Sequence, residues 1–129
     1  MGQNMDETDA AKILSVISQM QRELWKESEN ADVLLNGQGP FGLCKTNPVP
    51  THGIQGSKEY LRRLRTLDGF PIEAVRRGST EAPEVTNGWI DMYIISRNAQ
   101  RIGMLYLCPY HSKNSAKAPE GFRLGPTEP

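Results

Sequence analysis

The sequence is poor in the residues that usually reveal a secreted, membrane-spanning or strongly basic protein. It has two cysteines in 129 residues, too few for the disulfide framework of a small secreted domain. It has no run of about 18 apolar residues that could span a bilayer, and its first residues lack the apolar core of a signal peptide. Basic and acidic residues number 15 each, so net charge gives no reason to expect a nucleic-acid or membrane partner. We therefore expect a protein of the cytoplasm.

The length suits one domain. Residues 1–111 are predicted to form a single α+β domain, and residues 112–129, which are mostly small, polar, Pro or Gly, are predicted to form a flexible C-terminal tail. Within the domain, residues 36–57 are rich in glycine and proline and have no sustained periodicity, which predicts a long irregular loop. Such loops are uncommon in compact domains unless they bind something or are disordered, so the 36–57 loop is a candidate contact surface.

An amphipathic pattern occupies the N-terminal part of the chain. From Thr8 to about Glu29, apolar residues recur at steps of three and four positions: Ile13, Ile17, Met20 and Leu24. This spacing predicts a helix. A lone sheet of modest size needs a partner for its apolar side, so we expect the helix to cover one face of the sheet.

The first of two turn signals, Leu67–Phe70, lies between runs rich in apolar and β-branched residues. It predicts a hairpin that pairs Tyr60–Thr66 with Pro71–Arg77 around an Asp-Gly turn. A helix over Ser57–Leu67 is the alternative, because the apolar residues there also fit helical spacing. The immediate turn signal favours the strand.

The second turn signal, Arg97–Gln100, predicts a hairpin that pairs Trp89–Ser96 with Ile102–Cys108. Both of these strands are apolar at most positions, which favours the centre of the sheet. The predicted fold class is therefore α+β, with the N-terminal amphipathic helix packed on a four-stranded antiparallel sheet made of two consecutive hairpins.

Five arginines would lie together on the first hairpin: Arg62, Arg63, Arg65, Arg76 and Arg77. A sheet surface that carries arginine and aromatic side chains is one way to bind RNA or single-stranded DNA. Charged side chains on an exposed hairpin also discourage sheet-to-sheet aggregation. We expect the arginines to contact a protein partner of acidic character, with nucleic acid as the alternative partner.

The two cysteines and two histidines fall into two pairs, Cys44 with His52 and Cys108 with His111. Thiolate and imidazole are the ligands of structural zinc, which makes these four residues a candidate metal site. The gap between the first two lies outside the usual finger spacings. The alternative is a buried Cys108, a Cys44 packed as a small apolar residue and two surface histidines.

Three stretches carry a resemblance to other proteins: Cys44–Pro50, the Tyr60–Thr66 segment with its Asp-Gly turn, and the ending from Tyr110 to Phe122. Over residues 44–123 the chain resembles a set of small uncharacterised bacterial proteins. The resemblance implies a bacterial cytosolic protein. It implies no activity, cofactor, named fold or site residue.

The sequence contains no local nucleophile signature such as G-x-S-x-G. The predicted function is therefore that of a non-enzymatic, small cytosolic binding or accessory protein without a cofactor. We expect it to contact its partner through the arginine-rich hairpin and the 36–57 loop. The alternative is a zinc-stabilised domain that binds nucleic acid.

Overall fold

The structure, a computed structural model, describes residues 32–126. The helix predicted over Thr8–Glu29 lies outside these residues. Along the described chain, one helix and six strands follow each other: β1 (Val49–Pro50), α1 (Gly53–Arg63), β2 (Leu64–Thr66), β3 (Glu73–Thr80), β4 (Ile90–Arg97), β5 (Gln100–Cys108) and β6 (Phe122–Leu124).

The strands form two sheets. The main sheet has four strands in the order β1-β5-β4-β3, and a second sheet pairs β2 with β6 in antiparallel orientation. In the main sheet β3, β4 and β5 are antiparallel neighbours, whereas β1 runs parallel to β5. A parallel pair needs a long crossover connection, and here α1 and three strands lie between β1 and β5 in sequence. The described residues thus form a small α+β fold with a mixed main sheet.

The predicted fold class is wrong in its architecture. The helix of the described chain is α1, which follows the first strand, and the sheet is mixed rather than a pair of antiparallel hairpins. Residues 60–63 belong to α1, and the short strand that follows pairs with β6 instead of β3. The physical reason is burial: Ser57, Tyr60 and Leu64 are all buried and follow helical steps of three and four residues. The helix places Ser57 and Tyr60 on its buried side, with Leu64 following as its C-cap, and leaves Arg62 exposed.

The β4–β5 hairpin occupies nearly the predicted segments. Arg97 pairs with Gln100 across a two-residue turn. Asn98 and Ala99 in this turn have φ angles of 52° and 64°. Positive φ at both central residues defines a type I′ turn, whose twist matches that of antiparallel strands.

The core lies between α1 and the facing side of the main sheet. It consists of seven buried residues from four strands, the helix and the 36–57 region: Phe41, Val49, Tyr60, Leu64, Ile95, Leu105 and Leu107. Residues of β3 and β4 on this side, Ala74 and Tyr93, are partly buried against the core. Next to these two residues, the space between the helix and the sheet is open to solvent.

The C-terminal residues 112–126 contact the rest of the fold at several points. The Ser115 amide donates to the carbonyl of Pro50 at 2.9 Å, and Ser115 and Pro119 are buried. The division into a domain of residues 1–111 and a flexible tail stays a prediction, which truncation tests. Within residues 32–126, no helix combines the length and apolar character needed to cross a bilayer.

Candidate functional site

A cleft of about 840 Å³ lies between α1 and strands β3 and β4. We call it the helix–sheet cleft. Its helix wall is formed by Ile54, Lys58, Leu61 and Arg62. Lys58 follows Ile54 by four positions, and Leu61 and Arg62 follow Lys58 by three and four, so the four residues share one side of the helix. The cleft volume lies within the range of ligand-binding pockets.

One end of the helix–sheet cleft is apolar and open. Ile54, Trp89 and Tyr110 line it with 70%, 54% and 55% of their surface exposed. The Trp89 amide donates to the Tyr110 hydroxyl at 3.3 Å, and the Tyr110 ring lies against Gly88, where a Cβ atom would collide with it. The Tyr110 side chain is therefore held against the backbone of Gly88 and Trp89. Exposed apolar side chains grouped in this way mark interaction sites on protein surfaces.

The middle of the cleft is charged. Arg76 on β3 donates to Ser79 Oγ at 2.6 Å and forms an ion pair with Asp91 on β4, where Nη2 and Oδ1 are 3.1 Å apart. Tyr93 lies beside this pair. Burial raises the pKa of the Tyr93 hydroxyl, and the Asp91 carboxylate raises it further. Lys58 forms no ion pair or hydrogen bond within the described part of the chain. Three basic residues thus face one acidic residue, so the cleft has an excess of positive charge.

A second cleft of about 660 Å³ lies on the other side of α1. Arg62, Arg63, Arg65 and Lys113 give it a basic lining. Arg63 Nε donates to the carbonyl of Gly125 at 3.0 Å, which ties the helix to the C-terminal residues. Arg65 donates to carbonyl oxygens at the end of α1, which have no partner within the helix. Two of these arginines therefore stabilise the helix end.

The structure separates the five predicted contact arginines. Arg62 and Arg76 line the helix–sheet cleft together, and Arg62 also lines the second cleft with Arg63 and Arg65. Arg77 lies at the irregularity of β3, between the paired residues on either side, and lines neither cleft. The common hairpin face is not formed because the first three arginines lie on α1 and β2. Partner binding by these residues stays a prediction.

The two cysteines have separate surroundings. The Cys44 thiol donates to the carbonyl of Gln38 at 3.4 Å, within the 36–57 loop. Cys108 is fully buried at the end of β5, with its sulfur 3.5 Å from Thr86 Oγ1. Burial raises the pKa of the Cys108 thiol, so it is protonated at neutral pH. A protonated, buried thiol is a poor nucleophile.

The two histidines lie close together. The Nδ1–H of His52 donates to the carbonyl of His111 at 2.9 Å, and His52 forms an isolated bridge with Tyr110. Across residues 32–126, no three His, Cys, Asp or Glu side chains are grouped so that they could hold a metal ion. The structure therefore does not group the four candidate zinc ligands into one site: Cys44, His52, Cys108 and His111.

The 36–57 loop is braced by its own hydrogen bonds. The Gln38 amide donates to the carbonyl of Thr46 at 2.9 Å, and the Gly42 amide donates to the carbonyl of Asn47 at 2.7 Å. Phe41 inserts from the loop into the core. The end of the loop forms β1 and the first turn of α1, through which Ile54 reaches the helix–sheet cleft.

Sequence reasoning missed Lys58, Asp91, Trp89 and Tyr110. Lys58 and Arg62 are one helical turn apart, so the alternative helix over Ser57–Leu67 contained the signal for a shared face. The proximity of Asp91 to Arg76 follows from the pairing of β3 with β4, for which the sequence has no local signal.

No family model, no curated protein and no solved structure matches this chain. This result agrees with a resemblance to proteins to which no activity is attached. The geometry of the clefts is thus the ground on which a function can be proposed.

Proposed function

We propose that this protein is a non-enzymatic binding protein of the cytoplasm and that its partner is an acidic segment of another protein. The observation that carries the proposal is the composition of the helix–sheet cleft. Three basic residues face one acidic residue there, next to three large apolar side chains that are more than half exposed.

The charge of the cleft favours an acidic partner. Asp91 is paired with Arg76, whereas Lys58 on α1 has no ion pair or hydrogen bond within residues 32–126, so Lys58 is the cation of this cleft that a carboxylate of the partner can pair with. Complementary charge speeds association and selects against the wrong partners. The basic lining of the second cleft continues this surface around α1.

The apolar part of the cleft favours a protein partner. Tyr, Trp and Arg are enriched at protein interfaces and at the positions that contribute most to affinity. Trp89 and Tyr110 can bury their exposed area against an apolar side chain of the partner. Single-stranded nucleic acid also stacks on aromatic side chains, and it is therefore an outcome that the test must separate.

The surroundings of the candidate nucleophiles support a non-enzymatic role. Cys108 is buried, and the raised pKa of its thiol keeps it protonated. The Ser79 hydroxyl lies between the Arg76 guanidinium and the Asp91 carboxylate, and no histidine lines this cleft. An activated serine needs an adjacent general base that is itself oriented by a third group.

Selection from a random library of peptides of about twelve residues tests the proposal. We expect the selected peptides to be enriched in Asp and Glu together with large apolar residues. The double variant Lys58→Glu, Arg62→Glu should lose at least about tenfold in affinity for them, because it places like charges opposite the acids. Arg101→Glu is the control, since Arg101 is exposed on β5 and lines neither cleft, and it should bind as the unchanged protein does.

Two results would contradict the proposal: peptides without acidic enrichment, or equal binding by the double variant while its melting temperature is unchanged. Binding of an oligothymidine that weakens steeply with added salt would favour the nucleic-acid alternative, because phosphate contacts release counterions.

A further inference from the structure

Strand β3 lies at the edge of the main sheet. The sheet order ends with β3, so among the described residues β4 is its only strand neighbour. An edge strand has one row of backbone amides and carbonyls that is not used within its own sheet. The edge of β3 therefore offers hydrogen-bonding groups to an added strand.

Part of this edge lacks a bulge and proline, and its charged residues are limited to Glu73 and to Arg76, which is paired with Asp91. Native proteins protect exposed edges with bulges, prolines or very short strands. In β3 the irregularity falls at Arg77, whereas the register with β4 is unbroken from Glu73 to Arg76. Within this segment the side chain of Val75 is 65% exposed. The segment Glu73–Arg76 is the part of the edge that can accept another strand.

The same segment forms one wall of the helix–sheet cleft. Ala74 and Arg76 pair with Ile95 and Tyr93 of β4 and line the cleft. In a strand, alternate residues point to the same face of the sheet. Every second side chain of a strand added beside β3 would therefore enter the cleft, next to Ala74 or Arg76 and opposite α1.

We infer that the partner segment binds as an added strand along Glu73–Arg76, with alternate side chains in the helix–sheet cleft. The inference rests on the proposed function. The side chain beside Arg76 is acidic, because Arg76 and Lys58 both line the cleft there. The side chain two positions away, beside Ala74, is apolar, because Leu61 and Ile72 line the cleft there.

This arrangement separates affinity from specificity. The backbone hydrogen bonds of the added strand are independent of its sequence, whereas the pockets for alternate side chains select the sequence. The partner is thus recognised by a short pattern in which an apolar and an acidic residue are separated by one position that faces away from the cleft.

Backbone methylation tests the inference on a peptide selected from the library. Alternate amides of a bound strand point to opposite sides, one set towards β3 and the other towards solvent. Two forms of the same synthetic peptide carry N-methyl groups on one set or on the other, and each is the control for the other. We expect one form to lose about tenfold or more in affinity and the other to bind nearly as the unmodified peptide does.

The outcomes of this test are distinguishable from those of the proposed function. If acidic peptides bind but both methylated forms keep full affinity, strand addition is overturned while the acidic partner stands. If the library gives no acidic binders, both fail. A dimer in light scattering that the peptide does not dissociate would also overturn the inference, because a second copy of the chain would then occupy the edge.

Discussion

Tyr60 on α1 donates a hydrogen bond from its hydroxyl to the carbonyl of Lys117, with the two oxygens 2.7 Å apart. The Tyr60 side chain is fully buried, and burial raises the pKa of its hydroxyl. Residues distant in sequence are joined by this bond, which fastens the C-terminal residues over the helix that forms one wall of both clefts.

Removal of the Tyr60 hydroxyl should destabilise the fold. We expect Tyr60→Phe to lower the free energy of unfolding by about 1–2 kcal/mol, because the Lys117 carbonyl loses its donor in a partly buried position. Urea denaturation at neutral pH measures this change. Tyr106→Phe is the matched control, since the Tyr106 hydroxyl forms no hydrogen bond within residues 32–126, and it should cost less than about 0.5 kcal/mol. Equal losses in both variants would contradict a role for the bond.

The same hydroxyl predicts a dependence of stability on alkaline pH. Below the ordinary tyrosine pKa of about 10, both the folded and the unfolded chain keep the proton, and stability does not change through this group. Above it, the unfolded chain releases the proton while buried Tyr60 retains it, so the free energy of unfolding falls as pH rises. Tyr60→Phe should show a shallower fall than the unchanged protein from about pH 9.5 upwards, and Tyr93 contributes to both. Parallel curves would contradict this account.

Truncation tests whether the C-terminal residues belong to the fold. Within residues 112–126, the Ser115 amide donates to the carbonyl of Pro50 and the Ser115 hydroxyl donates to the carbonyl of Asp32. The same segment contains strand β6, which pairs with β2. We expect a chain that ends at His111 to lose its cooperative thermal transition, and a chain that ends at Pro126 to keep it. An unchanged transition in the shorter chain would support the flexible tail that composition predicts.

How far sequence predicts this fold depends on whether the deciding contact is local. The β4–β5 hairpin could be predicted because its turn and its apolar strands lie side by side in sequence. The segment 60–66 could not, because its spacing fits both a helix and a strand. The Asp-Gly turn exists, with the Gly69 amide donating to the carbonyl of Thr66, but the chain after it pairs with β4. A correct turn was thus assigned the wrong strand partners.

The candidate site was less predictable because it is formed by long-range pairing. Arg76 meets Asp91 only once β3 is in register with β4, and it meets Arg62 only once α1 packs on that sheet. The predicted first hairpin grouped five arginines on one face, but the first three lie on α1 and β2 and this face does not form. The parallel pairing of Val49 with Leu107 likewise has no local signal.

Gly42 should be essential for packing of the 36–57 loop. Its φ angle is +74°, and an added Cβ atom would lie 2.9 Å from side-chain atoms of both Val49 and Pro119. Both neighbours are buried, so neither can move away easily. We expect Gly42→Ala to cost about 2–4 kcal/mol in the free energy of unfolding. Gly103→Ala is the matched control, because a Cβ atom there meets no atom within 4 Å, and a small or stabilising effect is expected.

The turn between β4 and β5 contains a residue whose replacement should stabilise the fold. Ala99 has a φ angle of 64°, which is unfavourable for a residue with a Cβ atom and no polar side chain. Ala99→Gly should therefore raise the free energy of unfolding by about 0.5–1 kcal/mol, and the melting temperature with it. Asn98→Gly should gain less, because asparagine tolerates positive φ better than alanine does. A decrease in stability for Ala99→Gly would show that the turn has a different conformation.

Metal analysis decides the remaining alternative, a zinc-stabilised domain. The Cys44 thiol bonds within the 36–57 loop, the Cys108 sulfur lies beside Thr86, and no three His, Cys, Asp or Glu side chains of residues 32–126 are grouped so that they could hold a metal ion. Protein purified without added zinc should hold far less than one zinc per chain, and a chelator should leave its melting temperature unchanged. Cys108→Ser should destabilise the fold through its buried position, whereas Cys44→Ser should have a smaller effect. About one zinc per chain that is lost in both variants would overturn this prediction, because a shared metal would make both thiols necessary for zinc binding although they have different neighbours.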